Sequence, residues 1–261
     1  MKKYLAIIQM QVINNIVYPG DFLGRSASIA VFLFIFAGLW RTTFTIAGTD
    51  VINGLTFANM MWYLMMAETI ELGRPRINRV ISEQVKNGEV AYILSKPYNF
   101  VLYHFSFGLG DSLMRMMMNV LVGMGVVWLL AGAPPSPLGW LMALVCMVGA
   151  WILHFCMMAL IGLAAFLVEE TNSFELIYQK LVFILGGMLL PLDMFPVWLQ
   201  QIARLLPFPY MMYAPARLFV KPDFDLFWQM LAGQLIWVGI LVFALSVAYR
   251  GSEKMLTVNG G

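Results

Sequence analysis

The sequence predicts an all-α integral membrane protein with six transmembrane helices. Hydrophobic residues make up 61% of the 261 residues and charged residues only 11%, whereas soluble domains carry about 25% charged residues. The apolar residues also occur in runs of about 18 or more, which is the length that a helix needs to cross a bilayer. We therefore expect one membrane domain, residues 1–261, with no soluble domain of its own.

An N-terminal interfacial amphipathic helix is expected within residues 1–21. On a helical wheel Lys3, Gln11 and Asn15 fall on one side, while apolar residues cover most of the other. This pattern is typical of a helix that lies on a membrane surface. The polar residues also interrupt the apolar stretch of a cleaved signal peptide, so we expect the segment to be retained. Pro19-Gly20-Asp21 is expected to end the helix.

Six apolar segments are expected to span the membrane. Polar or proline-containing turns separate several of them, including Pro134-Pro135-Ser136-Pro137 and Glu169-Glu170-Thr171. Asn172 and Glu175 have the spacing of a capping box, which would start the fifth span. The expected spans are 22–44, 51–70, 101–133, 138–168, 176–190 and 227–249.

Two longer connections are expected outside the spans, at residues 71–99 and 191–226. The second is extracytoplasmic and contains too many prolines for one continuous helix, so we expect short re-entrant or interfacial helices between spans five and six. Placing both termini in the cytoplasm puts eleven Lys and Arg residues on the inner side and four on the outer side. Cytoplasmic loops carry this excess, so segment 71–99 is expected to be cytoplasmic.

Segment 71–99 interleaves charged and apolar residues. Asn87-Gly88 is expected to end a first helix, and Lys96-Pro97 to follow a second amphipathic stretch. Two interpretations fit this pattern. The segment is either a helical hairpin that stabilises contacts at the inner leaflet or a docking surface for another protein.

The run from Gln84 to Pro97 resembles an element of bacterial ABC exporter permeases of the type-2 class. That element has a basic residue, Gly, an acidic residue, hydrophobic residues and then Leu-x-(Lys/Arg)-Pro; Lys96 stands where Arg is more usual. The proline-broken stretch from Pro191 to Tyr210 also resembles a signature of this family before its last span. The resemblance covers essentially the whole chain. It implies a permease subunit, not an enzyme, of an ATP-driven exporter that moves a hydrophobic or amphipathic substrate out of the cytoplasm.

The resemblance further implies that energy comes from a partner. The sequence contains no G-x-x-x-x-G-K-[S/T] loop, so ATP binding by that mechanism is not expected on this chain, and neither a cofactor nor a metal is expected here. A separate ABC ATP-binding subunit would carry ATP and Mg. A second permease chain, identical or homologous, would complete the unit in the bacterial inner membrane.

The resemblance places a cytoplasmic coupling helix between spans two and three. We expect Glu83, Lys86 and Glu89 to form exposed pairs, and Val85, Val90 and Tyr92 to fill a groove of the ATPase subunit. The expected coupling residues are Glu83, Gln84, Val85, Lys86, Asn87, Gly88, Glu89, Val90, Tyr92 and Leu94.

Ionisable residues near or within spans are candidates for the inner mouth or the pathway. Asp111 and Arg115 are four residues apart, which favours a structural ion pair over a substrate contact. His154 is more often a helix-to-helix hydrogen-bonding residue than a proton relay. Glu68 lies at the inner end of the second span.

Other functions fit the sequence less well. An ion-coupled secondary transporter should show a paired internal repeat and a mid-membrane acid, neither of which is evident. A non-transporting membrane scaffold would lack a polar, small-residue seam shared by several spans. The 21 Met residues favour adaptable packing over a Cu(I) site, and Cys146 and Cys156 resemble buried apolar residues. The basic residues are too scattered for nucleic-acid binding.

Overall fold

The computed structural model describes residues 2–17, 19–168 and 170–259; for 19–23, 25, 26, 91, 94 and 253–259 it describes the backbone only. Glu169, in the expected turn after the fourth span, lies outside the described residues. The helices are α1 (Lys2–Val17), α2 (Pro19–Ala47), α3 (Phe57–Gly73), α4 (Ile77–Lys86), α5 (Glu89–Leu94), α6 (Phe100–Ala131), α7 (Pro137–Leu163), α8 (Asn172–Leu185), α9 (Val197–Arg204), α10 (Phe208–Met211), α11 (Tyr213–Val220) and α12 (Phe224–Asn259).

Four helices of the described chain are long and apolar enough to cross a membrane: Ala27–Ala47, Phe100–Ala131, Pro137–Phe166 and Phe224–Ser252. They correspond to the first, third, fourth and sixth expected spans. The other two are shorter, since α3 has 17 residues and α8 has 14. At 1.5 Å per residue these helices are about 26 Å and 21 Å long, below the roughly 30 Å of a hydrocarbon core.

The helix of the second expected span begins later than the sequence indicated. Val51–Ile52 (β1) and Leu55–Thr56 (β2) pair as antiparallel strands, joined by Asn53 and Gly54 with φ of 49° and 76°. Asn-Gly is favoured in two-residue hairpin turns because both residues tolerate positive φ. The hairpin takes up the first turns of the expected span, and α3 starts only at Phe57.

α1 packs lengthwise along the first half of α6. The contacts advance in the same direction along both helices, because Lys3 donates to the Pro97 carbonyl and Asn15 Nδ2 lies 3.4 Å from Asp111 Oδ1. Gln11 is buried in this contact. The exposed large side chains of α1 include Leu5, Met10, Ile13, Ile16 and Val17. The polar side of α1 therefore finds hydrogen-bond partners on α6 and in the segment before it, and the interfacial position of the helix stays a prediction.

The centre of the molecule is α3. Every residue from Met60 to Ile70 is buried, because α2, α6 and α11 pack around this helix. A helix that is apolar on all sides is stable only when it is surrounded. A second group of helices, α12, α11 and α4, packs around α7.

The proline-broken segment forms a 3-10 turn at Leu192–Met194 and the short helices α9, α10 and α11. Arg217 Nε lies 2.7 Å from Asp193 Oδ2, and Tyr213 Oη donates to Asp193 Oδ1 at 2.8 Å. These contacts join the 3-10 turn to α11.

α4 and the end of α11 contact opposite ends of α7. The Phe219 carbonyl of α11 lies against Gly139, whereas Asn78 and Ile81 of α4 lie against Gly162. The axial separation of the two glycines is about 35 Å at 1.5 Å per residue, which exceeds the roughly 30 Å of a hydrocarbon core. The two contact regions therefore lie on opposite sides of a membrane that α7 crosses.

Gly162 allows the close approach of α4 to α7. A Cβ at this position would lie 2.9 Å from Ile81 Cβ and 3.1 Å from Asn78 Cα, so Gly162→Ala should displace α4. We expect a loss of about 1–2 kcal/mol in stability, since overpacking costs about 1–3 kcal/mol and Ala returns up to about 1 kcal/mol of helix propensity. The measurement is the melting temperature of the purified protein in detergent.

Gly125→Ala is the matched control, because a Cβ at Gly125 on α6 meets no atom within 4 Å. It should leave the melting temperature unchanged or raise it. Equal destabilisation by both substitutions would contradict the role assigned to Gly162.

Candidate coupling surface

α4 has one face on the protein and one face exposed. The helix begins at Ile77 and ends at Lys86, because Asn87 and Gly88 follow and Gly88 adopts a φ of 72°. Glu83 and Lys86 are exposed. The buried residues recur at helical spacing and are Ile77, Asn78, Ile81 and Ser82.

Of the expected coupling residues on α5, Tyr92 is exposed and Val90 is buried. Tyr92 is 66% exposed, and Lys96 Nζ lies 4.1 Å from the centre of its ring, which is a cation–π contact. Val90 is only 1% exposed and packs in the core of this chain. The expectation that it fills a groove of the ATPase subunit is therefore wrong, because its side chain is not available to a partner. The remaining expected residues include Gln84 and Val85, which are half-buried, and Asn87, Gly88 and Glu89, which are exposed. The Leu94 side chain lies outside the described residues.

The carboxylate of Glu175, in the first turn of α8, joins three segments of the chain. Asn78 Nδ2 and Arg79 Nε donate to Oε2 at 2.9 and 3.1 Å. Arg79 Nη2 and Gln179 Nε2 donate to Oε1 at 3.3 and 3.0 Å, and Arg74 Nη2 lies 3.7 Å from Oε1. We call these five residues the Glu175 cluster. It connects the end of α3 and the buried side of α4 to the start of α8.

Two further contacts join α4 to the turn before α8. The hydroxyl oxygens of Ser82 and Thr171 are 2.6 Å apart and buried. Lys86 Nζ lies 3.8 Å from Glu170 Oε2, and this exposed pair adds little stability. A cleft of about 370 Å³ lies between α4 and this turn.

Glu175 has a lowered pKa. Burial by itself raises the pKa of this carboxyl group, but hydrogen bonds from Arg79 and Asn78 and the charges of Arg79 and Arg74 outweigh burial, so the net pKa lies below the usual 4.5. The hydrogen bond to Glu175 also raises the pKa of Arg79. The cluster therefore holds an ionised carboxylate at neutral pH.

Asp111 and Arg115 form the ion pair that their spacing predicts. Arg115 Nη2 lies 2.5 Å from Asp111 Oδ2. The same guanidinium donates to the carbonyls of Leu72 and Arg74 at 3.4 and 3.1 Å. Because the last carbonyls of a helix lack partners within it, the pair stabilises the end of α3 against α6.

His154 and Glu68 are both buried. His154 Nδ1 lies 2.6 Å from Tyr178 Oη, so it joins α7 to α8 by a hydrogen bond. Tyr178 Oη also lies 3.4 Å from Met211 Sδ of α10. Glu68 lies within the buried stretch of α3. Among the described residues, no group of three or more His, Cys, Asp and Glu residues is placed to hold a metal ion.

Comparison with protein families identifies the chain. Residues 28–260 match the family model described as "ABC-2 family transporter protein". The chain belongs to the ABC-2 transporter family. As an ABC-2 protein it is a multi-pass membrane component of a transporter rather than a catalytic subunit, and the family implies association with an ABC ATP-binding subunit. A search of curated proteins gives no match.

The sequence of this ABC-2 protein did not reveal the Glu175 cluster. The spacing of Asn172 and Glu175 suggested a capping box, but the N-cap of α8 is Thr171, and the Glu175 carboxylate bonds to α4 instead. Asn78 and Glu175 are 97 residues apart, so local patterns carry no signal of their contact. The sequence contained one indication. Glu175 directly precedes the expected span 176–190, on the same expected side of the membrane as the Arg-containing segment 71–99.

Glu175→Gln should destabilise the ABC-2 protein at pH 7 by about 1.5–3 kcal/mol, because hydrogen bonds to charged groups contribute about that much. A lowered pKa stabilises the fold above the unfolded-state pKa of about 4.5, and this contribution is lost as the pH falls through the folded-state pKa. The stability difference between wild type and variant should therefore shrink below about pH 4.5. Melting temperature measured against pH tests this.

Glu83→Gln is the control for this experiment, since Glu83 is an exposed carboxylate on α4. It should change the melting temperature little at any pH. A Glu175→Gln variant as stable as wild type at pH 7 would show that the cluster does not hold α4 in place.

Proposed function

We propose that this ABC-2 protein is the permease subunit of an ATP-driven exporter that moves a hydrophobic or amphipathic substrate out of the cytoplasm by alternating access. The observation that carries the proposal is that α4 is attached on one face and exposed on the other. Asn78 and Ile81 pack against Gly162 of α7, and Asn78 and Arg79 donate to Glu175 of α8. The other face presents Glu83 and Lys86. A partner that pushes α4 must therefore also move the start of α8.

A continuous set of contacts leads from the Glu175 cluster into the membrane domain. Tyr178 lies three residues after Glu175, on the same side of α8. It contacts His154 of α7 and Met211 of α10. Displacement of α8 along or about its axis would change both contacts, and with them the packing of two further helices. This is the kind of two-state element that nucleotide binding can bias.

The orientation follows from charge and from the length of α7. The excess of Lys and Arg supports a cytoplasmic location for the α4 end and for both termini, and we infer that the protein lies in the bacterial inner membrane. The end of α11, at the far end of α7, then faces outwards. Within the membrane domain, Gln234 Nε2 donates at 2.8 Å to both the Cys146 carbonyl of α7 and the Tyr210 carbonyl of α10. α10 therefore lies beside the middle of α7, and we infer a re-entrant path for residues 191–226.

The working unit would contain two permease chains, identical or homologous, and ABC ATP-binding subunits that carry ATP and Mg. The surface offered to the ATP-binding subunit is formed by the exposed side of α4 and by Tyr92 of α5. Alternation of ATP-bound and ATP-free states would move α4 and, through Glu175, the start of α8.

The double substitution Val85→Asp and Tyr92→Asp tests the docking surface. It places two charges where apolar side chains would meet the ATP-binding subunit, and we expect about thirtyfold weaker association, the loss typical of an interface hot spot of about 2 kcal/mol. The measurement is co-purification of the subunit with the tagged permease, followed by titration.

Val197→Asp is the matched control, because Val197 is 70% exposed but lies in α9, within the segment assigned to the outer side. It should leave association unchanged. Unchanged association of the double variant, with a normal elution profile, would reject α4 and α5 as the docking surface.

The Glu175→Gln variant distinguishes docking of the ATP-binding subunit from transmission of movement between α4 and α8. It leaves the exposed side of α4 intact, so the ATP-binding subunit should still co-purify. It loosens α4 from α8, so the stimulation of ATP hydrolysis by the permease should fall severalfold. Asp50→Asn, a change of an exposed acid in the α2–β1 loop, is the control for charge, and an equal effect of both variants would contradict transmission through the cluster.

A further inference from the structure

A cleft of about 500 Å³ opens between α6, α7 and α12, a volume within the range of about 300–1,000 Å³ that is typical of ligand sites. Each of these helices contains one of the four candidate spans of the described chain. The molecules that surround such a cleft are lipids, because the helices that form it are long and apolar enough to cross a membrane. We call it the α6–α12 cleft.

The body of the cleft is apolar. Its walls include Val101, Phe105, Ile152, Phe155 and Leu245. The Phe105 and Phe155 rings meet edge to face at 5.1 Å, which gives one wall a defined shape. Along α12 the lining runs from Val242 to Arg250, a distance of about 12 Å at 1.5 Å per residue. A concave apolar slot of this length fits part of an extended acyl chain better than the broad face of a helix.

The polar end of the cleft offers hydrogen-bond donors. Arg250 is the one charged side chain among the described residues that line it. Asn99 Oδ1 already accepts from the Leu102 N–H at 3.0 Å, which leaves the Asn99 amide NH₂ group as the donor available to a ligand. Ser246 donates to the Val242 carbonyl within its own helix at 2.8 Å. A guanidinium and an amide donor suit phosphate oxygens.

We propose that the α6–α12 cleft binds an anionic phospholipid, with an acyl chain against the apolar walls and the phosphate at Arg250 and Asn99. The polar end adjoins the start of α6 and lies far along α12, on the side that the Lys and Arg count assigns to the cytoplasm. Anionic lipids in that leaflet attract basic residues at the membrane boundary. The proposal does not depend on docking of an ATP-binding subunit.

The test is native mass spectrometry of the full-length chain in detergent, titrated with dioleoyl-phosphatidylglycerol or dioleoyl-phosphatidylcholine. Wild type should bind the anionic lipid more tightly than the zwitterionic one. Arg250→Gln should weaken binding of phosphatidylglycerol about fivefold, the effect of one basic residue near an anionic surface, and leave phosphatidylcholine unchanged. Lys2→Gln removes an exposed charge outside the cleft and should change neither.

A second variant tests the apolar part of the site. Val242 lines the cleft and is 45% exposed, so Val242→Trp should fill the slot without disturbing the core, and binding of both lipids should fall. Equal binding of the two lipids by wild type, equal losses in the Arg250 and Lys2 variants, or unchanged binding by Val242→Trp would each overturn the proposal. A change of oligomeric state in Val242→Trp with lipid binding retained would also overturn it, since the cleft would then be a subunit interface.

Discussion

The position of α4, and with it the candidate coupling surface, depends on the carboxylate of Glu175. A buried carboxylate is unfavourable unless cations and donors surround it, and here the partners come from different segments: Arg74 follows α3, Asn78 and Arg79 belong to α4, and Gln179 belongs to α8. Moving any one segment away leaves charge or donors without partners. The three segments are therefore constrained to move together, although α4 itself has a largely solvent-exposed outer face.

Elsewhere in the molecule, side-chain donors satisfy carbonyls at or near the ends of helices. Tyr63 Oη donates to the Gly187 carbonyl after α8, Trp62 Nε1 donates to the Ala133 carbonyl between α6 and α7, and Gln234 reaches the Tyr210 carbonyl in α10. Non-helical backbone in a membrane is tolerated only where other protein groups pair with it. Each break in a helix leaves a carbonyl that needs a donor, and buried polar side chains of neighbouring helices supply it.

The sequence predicted those features that local composition determines. Long apolar runs indicated α6, α7 and α12, and the Asn87-Gly88 pair marked the end of α4. The same pair of residue types occurs at Asn53-Gly54, but the apolar residues on both sides suit a span as well as a hairpin, so local pattern does not distinguish the two. The contacts of Glu175 and the packing of α1 on α6 lie beyond local pattern, since each joins residues 96 positions apart. The exposed face of α4 was predictable from local pattern, but the attachment of α4 to α7 and α8 was not.

Because α8 is short, its contacts at the two ends restrict how the helix can move. The helix has only 14 residues, with the Glu175 cluster at its start and Gly187, bonded to Tyr63 of α3 and held at a φ of 76°, just after its end. A helix of about 21 Å behaves as a rigid rod, so displacement of its start by α4 must tilt the rod about Gly187 or break the bond to Tyr63. Tilting keeps the bond between Tyr63 and Gly187 and rearranges side-chain contacts along α8, including those of Tyr178 with His154 and Met211. In the proposed mechanism tilting is therefore the less costly response, and it would convert a push on α4 into a change of packing beside α7 and α10.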